Sequence, residues 1–175
     1  MKLTLEKITW STLILLALLC ALWLDYYLPE KCITTITGVE VKRVDKDGPI
    51  GKENPADGPT MDVYYIYTSQ QNDKVRVFRN EDTRWSWPFY FKFNSADVQA
   101  KAKTLEFEKK SARITSYGWR INIFSQFPNV TNIEVVDADA STFSFFRWFW
   151  FALWAAGFGY LAFIMRRYFA RKNLG

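Results

Sequence analysis

The chain has 175 residues with 23 Lys and Arg against 18 Asp and Glu, a formal charge of +5, no histidine and two cysteines. Because the sequence has no histidine, a Ser-His-Asp triad, a Cys-His nucleophile pair and a histidine-containing zinc site are all excluded. A chain of this length has room for one small domain beside two apolar stretches.

The basic charge is concentrated towards the ends of the chain. Residues 29–141 hold 16 basic and 16 acidic side chains, so this stretch is neutral. Binding of DNA or RNA would need a basic face on the domain, and we therefore expect no nucleic acid among the partners. The excess basic residues lie beside the two apolar stretches, where they indicate the orientation of a membrane protein.

Residues 1–28 are predicted to form an N-terminal signal-anchor transmembrane helix. A basic start precedes an apolar core at 8–24, and no small-x-small cleavage pattern follows that core. Bulky Leu19 stands before Cys20, where a lipoprotein signal would carry a small residue. We therefore expect an uncleaved anchor.

Residues 29–141 are predicted to form a small β-rich (α+β) extracytoplasmic domain between two transmembrane helices. In chain order we first expect a strand at 33–44, a loop at 45–60, and a hairpin of strands 62–68 and 74–79 with its turn at 69–73. The aromatic segment 84–94 follows, and then a helix from Asn94 or Ser95 to about Leu105, with Val98, Ala102 and Leu105 on one face. The last two elements are a strand carrying Ile114, Tyr117, Trp119, Ile121 and Ile123, with Gly118 as a bulge, and a strand at 130–137. This order matches an OB-like five-stranded barrel with one helix. A different β-sandwich or an open roll would show the same order.

The segment 84–94 has the sequence RWSWPFYFKFN, in which Trp or Phe recurs at every second position. In an extended chain these five rings would all lie on one face, and Pro88 indicates a sheet edge or a bend at this point. Packing in the domain core is the simpler interpretation, and a surface that binds a sugar, a peptide or another membrane protein is the alternative. The candidate interaction residues of the domain are Trp85, Trp87, Phe89, Arg84 and Arg120.

No catalytic residue, cofactor or metal site is predicted. Glu81 and Asp82 are neighbouring carboxylates, but such surface pairs are normally only solvated. The aspartates of the loop at 45–57 lack the bidentate Glu of a calcium loop. Cys32 is a single thiol in the domain, for which we expect either a buried inert side chain or an intermolecular disulfide.

Residues 142–168 are predicted to form a C-terminal transmembrane helix, followed by a short basic cytoplasmic tail at 169–175. The apolar part of this helix, 148–165, contains 18 residues. At 1.5 Å per residue it would cover about 27 Å, close to the hydrocarbon thickness of a bilayer.

Two contacts are predicted for the membrane helices. Ala155 and Gly159 form a small-xxx-small pair that permits close helix packing. Asp25 and Arg147 lie at the outer ends of the two helices, and we expect them to form an intramembrane pair. Snorkelling of Arg147 to the lipid headgroups is the alternative.

The distribution of basic residues predicts the membrane topology. Lys2 and Lys7 precede the first helix, and the basic tail follows the second. By the positive-inside bias both termini are cytoplasmic and the domain lies in the periplasm of a bacterial inner-membrane protein.

Three segments of the chain resemble a bacterial membrane-protein family known as domain of unknown function fifteen twenty-three. They are TGVEVKRVDKDGPI (37–50), FRNEDTRWSWPFYFKFNSADVQAKA (78–102) and SYGWRINIFSQFPNVTNIEVV (116–136). The resemblance covers most of the domain and the flanking spans. It implies the same two-span topology and brings no known catalytic residues.

These features predict a non-enzymatic two-pass inner-membrane protein that acts as an accessory, assembly or interaction subunit of an envelope membrane complex. Its expected partners are the lipid bilayer and another membrane protein or a second copy of itself. Two alternatives stay open: a periplasmic sensor whose barrel binds a ligand or a glycan, and a phage- or prophage-encoded membrane factor that modifies the host envelope or blocks superinfection.

Overall fold

The computed structural model describes residues 5–45, 48–70 and 74–172. Within these residues the elements in chain order are α1 (Leu5–Tyr27), β1 (Glu30–Asp45), β2 (Gly48–Pro49), β3 (Met61–Ser69), β4 (Val75–Asn80), α2 (Ser95–Glu108), β5 (Ser111–Tyr117), β6 (Asn129–Val135) and α3 (Phe145–Lys172). They divide into a helical unit, which contains α1 and α3, and a sheet unit at Pro29–Phe143.

In the helical unit, α1 and α3 are each long and apolar enough to cross a membrane. Their 23 and 28 residues correspond to about 35 and 42 Å of helix at 1.5 Å per residue. The helix α3 continues to Lys172, so the tail expected at 169–175 is helical over its first four residues. The rest of that tail lies outside the described residues.

In the sheet unit, β1 is a long strand that pairs with two different neighbours. Its first part, Glu30–Thr35, pairs with β5, and its second part, from Thr35 to Val44, pairs with β3. The register shifts between Ile36 and Gly38, where the strand passes from one neighbour to the other. The strand order is β2-β1-β3-β4-β6-β5, and the additional β1–β5 pairing links its far end back to β1.

The sheet is mixed, because one of its pairings is parallel. The strands β3 and β4 form the expected antiparallel hairpin, and β5 pairs antiparallel with β6. The parallel contact joins β4 to β6 through Arg79 and Asn129.

The helix α2 covers the core of the sheet unit with the face that its spacing predicts. Val98, Ala102 and Leu105 are all buried, at the three- and four-residue intervals of one helix face. They pack with side chains from five strands in a cluster that also contains Cys32, Ile36, Ile66, Phe78, Ala112, Ile114, Val130 and Ile133. Asn94 makes no side-chain cap bond, and the Asp82 carboxylate instead accepts the Ser95 N–H at 2.8 Å.

The segment 84–94 is a loop between β4 and α2, in agreement with the bend that Pro88 indicates. One expectation about a strand is wrong. The strand expected to run on to Ile123 ends at Tyr117, because Gly118 has a φ of 92°, which breaks the extended path. A short 3₁₀ turn at Asn122–Phe124 follows.

Candidate functional site

The aromatic loop, defined here as residues 84–93, displays its rings to solvent. Arg84, Phe89 and Phe91 have positive φ angles of 50°, 59° and 48°, so the backbone reverses direction instead of extending. The exposed fractions are 75% for Trp85, 47% for Trp87, 52% for Phe89, 54% for Phe91 and 52% for Phe93. Core packing, the simpler of the two interpretations of this row, is therefore wrong.

The exposed rings form one connected cluster. Ring centroids are 5.6 Å apart for Trp85 and Phe91, and 5.3 Å apart for Trp85 and Phe93. Trp87 lies 5.1 Å from Phe89, which in turn lies 6.2 Å from Phe91. These separations are typical of favourable aromatic pairs. The loop therefore presents a continuous apolar patch, the kind of surface that marks interaction sites on soluble domains.

Hydrogen bonds join the two ends of the aromatic loop. The Lys92 N–H donates to the Thr83 hydroxyl at 3.1 Å, and the Arg84 N–H donates to the Lys92 carbonyl at 3.0 Å. The Ser86 hydroxyl donates to the Thr83 carbonyl at 2.6 Å, and the Phe89 N–H donates to the Ser86 carbonyl at 3.1 Å. The loop is thus closed at its base and ordered in its first turn.

Lys92 anchors the loop from within the domain. Its side chain is only 5% exposed, and its ammonium donates to Oδ1 of Asn80 and, at 2.8 Å, to the Val130 carbonyl. Burial lowers the pKa of Lys92 to about 8, against the opposing influence of the Asp82 and Glu81 carboxylates. Sequence reasoning missed this residue, although its position between Phe91 and Phe93 places it on the face opposite to the rings.

Asn80 extends this anchor to α2. Its side-chain amide donates to the Ser95 carbonyl at 2.8 Å and to Oε1 of Gln99 at 3.3 Å, and the residue is fully buried. One buried amide therefore joins the end of β4, the Lys92 ammonium and the first turn of α2.

A second contact supports the loop from the side. The ring of Tyr90 stacks on that of Tyr117 at 4.8 Å between centroids and 21° between planes. The Tyr117 hydroxyl accepts a hydrogen bond from the Asn129 amide at 3.1 Å. Tyr90 therefore ties the loop to the end of β5 and the start of β6.

The arginines near the aromatic segment do not converge on it. Arg84 is exposed at the start of the loop. Arg120 instead donates to the Gln126 carbonyl at 2.9 Å and lies over the Phe127 ring at 3.9 Å. Of the two candidate arginines, only Arg84 belongs to the aromatic loop.

The cysteine of the domain lies inside the core. Cys32 is buried, and this burial raises the pKa of its thiol to about 11. Its thiolate is therefore scarce at neutral pH, which disfavours disulfide formation. Among the described residues, no three His, Cys, Asp or Glu side chains are grouped to hold a metal ion.

In the helical unit, Arg147 and Asp25 lie together. The Arg147 guanidinium donates to the Asp25 carboxylate and, at 2.9 Å, to the Leu28 carbonyl. It also lies 5.5 Å from the centre of the Phe151 ring. The arginine therefore satisfies the last turn of α1 while it pairs with the acid.

The small residues of α3 are exposed. Ala155 and Gly159 each lie open to solvent, and a Cβ added at Gly159 would meet no atom within 4 Å. The less exposed residues of α3 include Phe151, Trp154, Phe158, Ala162, Met165 and Phe169, most of which carry larger side chains.

Comparison with known proteins places the chain in a family. A protein of Haemophilus influenzae described as "Uncharacterized protein" is 56% identical over 115 residues, and the match covers 66% of this chain and 66% of that relative. The chain thus spans 66% of the length of that relative. No solved structure matches the chain. Residues 5–169 match the family model described as "Protein of unknown function (DUF1523)", and the chain belongs to this family.

Proposed function

We propose that this protein is a non-enzymatic, two-pass inner-membrane protein that acts by contact, as an accessory, assembly or interaction subunit of an envelope membrane complex. The observation that carries this proposal is the aromatic loop, whose five exposed Trp and Phe rings stand on a base held by buried hydrogen bonds. Trp side chains are over-represented among the residues that dominate binding energy at protein interfaces.

The hydrogen bonds at the base of the loop favour a role of the apolar patch in binding over an apolar patch without a function. A flexible loop would lose conformational entropy when it bound a partner, whereas a preorganised loop has already been ordered by folding. Three contacts hold this loop: the Lys92 N–H bond to Thr83, the bond from the Lys92 ammonium to the Val130 carbonyl, and the stacking of Tyr90 on Tyr117. We infer that its partner offers an apolar cleft that receives Trp85, with Trp87 and Phe89 beside it.

An OB-type barrel is the platform that we propose for the loop. The order in which β1, β3, β4, β6 and β5 pair, together with the return of β5 to β1, supports a closed arrangement of five long strands. The position of α2 between β4 and β5 and the parallel β4–β6 contact agree with that topology. A closed barrel has no free sheet edge, so contact would be made through its loops.

The membrane orientation is also a proposal. Basic residues lie at the end of α3 (Arg166, Arg167, Arg171 and Lys172) and before or in the first turn of α1 (Lys2 and Lys7). This distribution supports cytoplasmic termini and a periplasmic sheet unit. The exposed Ala155 and Gly159 face supports a second contact within the membrane, with a helix of the same complex or of a second copy.

Site-specific photo-crosslinking in intact cells tests the aromatic loop as the contact surface. A photoreactive phenylalanine analogue is placed at Trp85, which is 75% exposed, or at Phe107 on α2, which is 76% exposed. We expect a discrete crosslinked membrane protein from position 85 and none from position 107. Equal crosslinking from both positions, or none from position 85, would contradict the proposal.

Matched alanine variants test whether the loop is needed for the complex. Trp85→Ala should release the crosslinked partner from a mild-detergent pull-down, and Phe107→Ala should not. Phe107→Ala should keep its stability within about 0.5 kcal/mol of wild type. Trp85→Ala removes the ring contacts with Phe91 and Phe93, so it should lower stability by about 1–2 kcal/mol and leave the domain folded. Loss of the partner in both variants would show that the loop has no special role.

A further inference from the structure

The C-terminal end of α3 carries a groove that is unrelated to the aromatic loop. It has a volume of about 770 Å³ and is lined by Tyr160, Phe163, Ile164, Arg167, Tyr168, Arg171 and Lys172. These residues recur at intervals of three and four positions, so they lie on one face of the helix. All the described residues that line the groove therefore belong to a single element of the helical unit.

The groove changes character along its length. Counted from Phe145 at 1.5 Å per residue, a hydrocarbon layer of about 30 Å ends near Ile164. Tyr160, Phe163 and Ile164 thus fall at the depth of lipid chains. The first basic residue of this face, Arg167, falls at the depth of the headgroups, and Arg171 and Lys172 follow it.

Among the described residues, no carboxylate forms an ion pair with the three cations of this face, which are Arg167, Arg171 and Lys172. The Arg167 guanidinium lies 4.9 Å from the centre of the Phe163 ring, which links the basic and apolar parts of the groove. The face is thus complementary to a molecule with an anionic head and an apolar tail.

The helix α1 leaves this face uncovered. The residues of α3 that are less exposed near its end, Ala162, Met165 and Phe169, lie on the opposite side of the helix. The groove residues Phe163, Ile164 and Arg167 are all exposed, so a lipid has access to them.

We propose that this face binds one anionic phospholipid, with its phosphate on Arg167, Arg171 and Lys172 and one acyl chain along Tyr160, Phe163 and Ile164. Clusters of basic residues at the membrane surface attract anionic lipids, and aromatic rings at this level hold the interface. The proposed site does not depend on the aromatic loop or on the identity of any protein partner.

The test uses Arg166 as a matched control for Arg167. The two residues are adjacent on α3 and have the same charge, but Arg166 does not line the groove. The full-length protein, purified in mild detergent, is titrated with phosphatidylglycerol or phosphatidylcholine, and bound lipid is counted by native mass spectrometry.

We expect wild type to retain one phosphatidylglycerol molecule at least tenfold more tightly than phosphatidylcholine. Arg167→Gln and, separately, Arg171→Gln should each weaken this binding about tenfold, whereas Arg166→Gln should change it less than twofold. Equal losses for Arg166→Gln and Arg167→Gln would show only a general attraction to positive charge and would overturn the site. Equal retention of the two lipids by wild type would also overturn it.

Discussion

Lys92 is buried although its side chain ends in a charge. Removing an ammonium from water is costly, and here two oxygen acceptors, Oδ1 of Asn80 and the Val130 carbonyl, offset part of that cost. The part that is not offset appears as a native pKa of about 8, below the ordinary value of 10.5.

This pKa predicts a pH-dependent contribution to stability. Between about pH 8 and pH 10.5 the unfolded chain keeps a proton that the native Lys92 has released, so the contribution of Lys92 to the unfolding free energy rises with pH. We expect the unfolding free energy of wild type, minus that of Lys92→Met, to increase from pH 7.5 to pH 10. Urea unfolding in detergent, followed by Trp fluorescence, measures it. A flat difference would contradict the burial of a titrating ammonium.

Cys32 gives a second prediction at this scale. A thiol pKa of about 11, in place of 9.0, lowers the thiolate population at pH 8 roughly 100-fold. In a Cys20→Ser background, iodoacetamide should therefore alkylate native Cys32 at least 100-fold more slowly than the urea-unfolded chain. Rapid labelling of the native protein, or a disulfide-linked dimer on a non-reducing gel, would show that the thiol is accessible.

At the scale of elements, local sequence patterns predicted those helices and strands whose structure depends on contacts between residues close in sequence. The β3–β4 hairpin and the buried face of α2 follow from residue spacings of two and of three to four, respectively. Both apolar helices follow from the length of their apolar stretches. The aromatic segment also alternates between two faces, but the buried and exposed faces are the reverse of those expected for core packing. Lys92 points inward, whereas Phe91 and Phe93 point outward. The acceptors that decide this, on Asn80 and Val130, are 12 and 38 residues away in sequence.

The packing of the two apolar helices shows the same limit. Small residues at 155 and 159 predict a close helix contact, but they do not identify the partner helix. In the structure Phe158 and Met165 are less exposed than Ala155 and Gly159, and a Cβ added at Gly159 would meet no atom within 4 Å. The order of apolar and small residues in the sequence does not by itself determine which face of α3 contacts another helix.

At the scale of the whole molecule, the links that define the sheet unit are long in sequence. Arg79 pairs with Asn129, and Glu30 pairs with Ser116, across separations that no local pattern reports. The five longer strands and the position of the helix could be predicted from the sequence, whereas the two-residue strand β2 lies where a loop was expected. The pairing of β5 with β1 could be inferred only because the order of the elements is similar to that of an OB-type barrel.

Reporter fusions test the proposed membrane orientation. Alkaline phosphatase fused after Gly58, an exposed position between β2 and β3, should be active because it reaches the periplasm. The same enzyme fused after Gly175 should be inactive, and a green fluorescent protein at that position should be fluorescent. The reverse pattern of activities would place the sheet unit in the cytoplasm and contradict the orientation.

The arrangement of the aromatic loop separates the residues that hold it from the residues that it displays. Thr83 and Lys92 point inward, whereas Trp85 is 75% exposed. An aromatic pair contributes about 0.5–1.5 kcal/mol, a fraction of the stability of a domain, so single displayed rings can mutate without loss of folding. Selection can therefore retarget this surface while the scaffold stays constant. Members of the family that serve different partners should diverge at the displayed rings and retain the inward lysine.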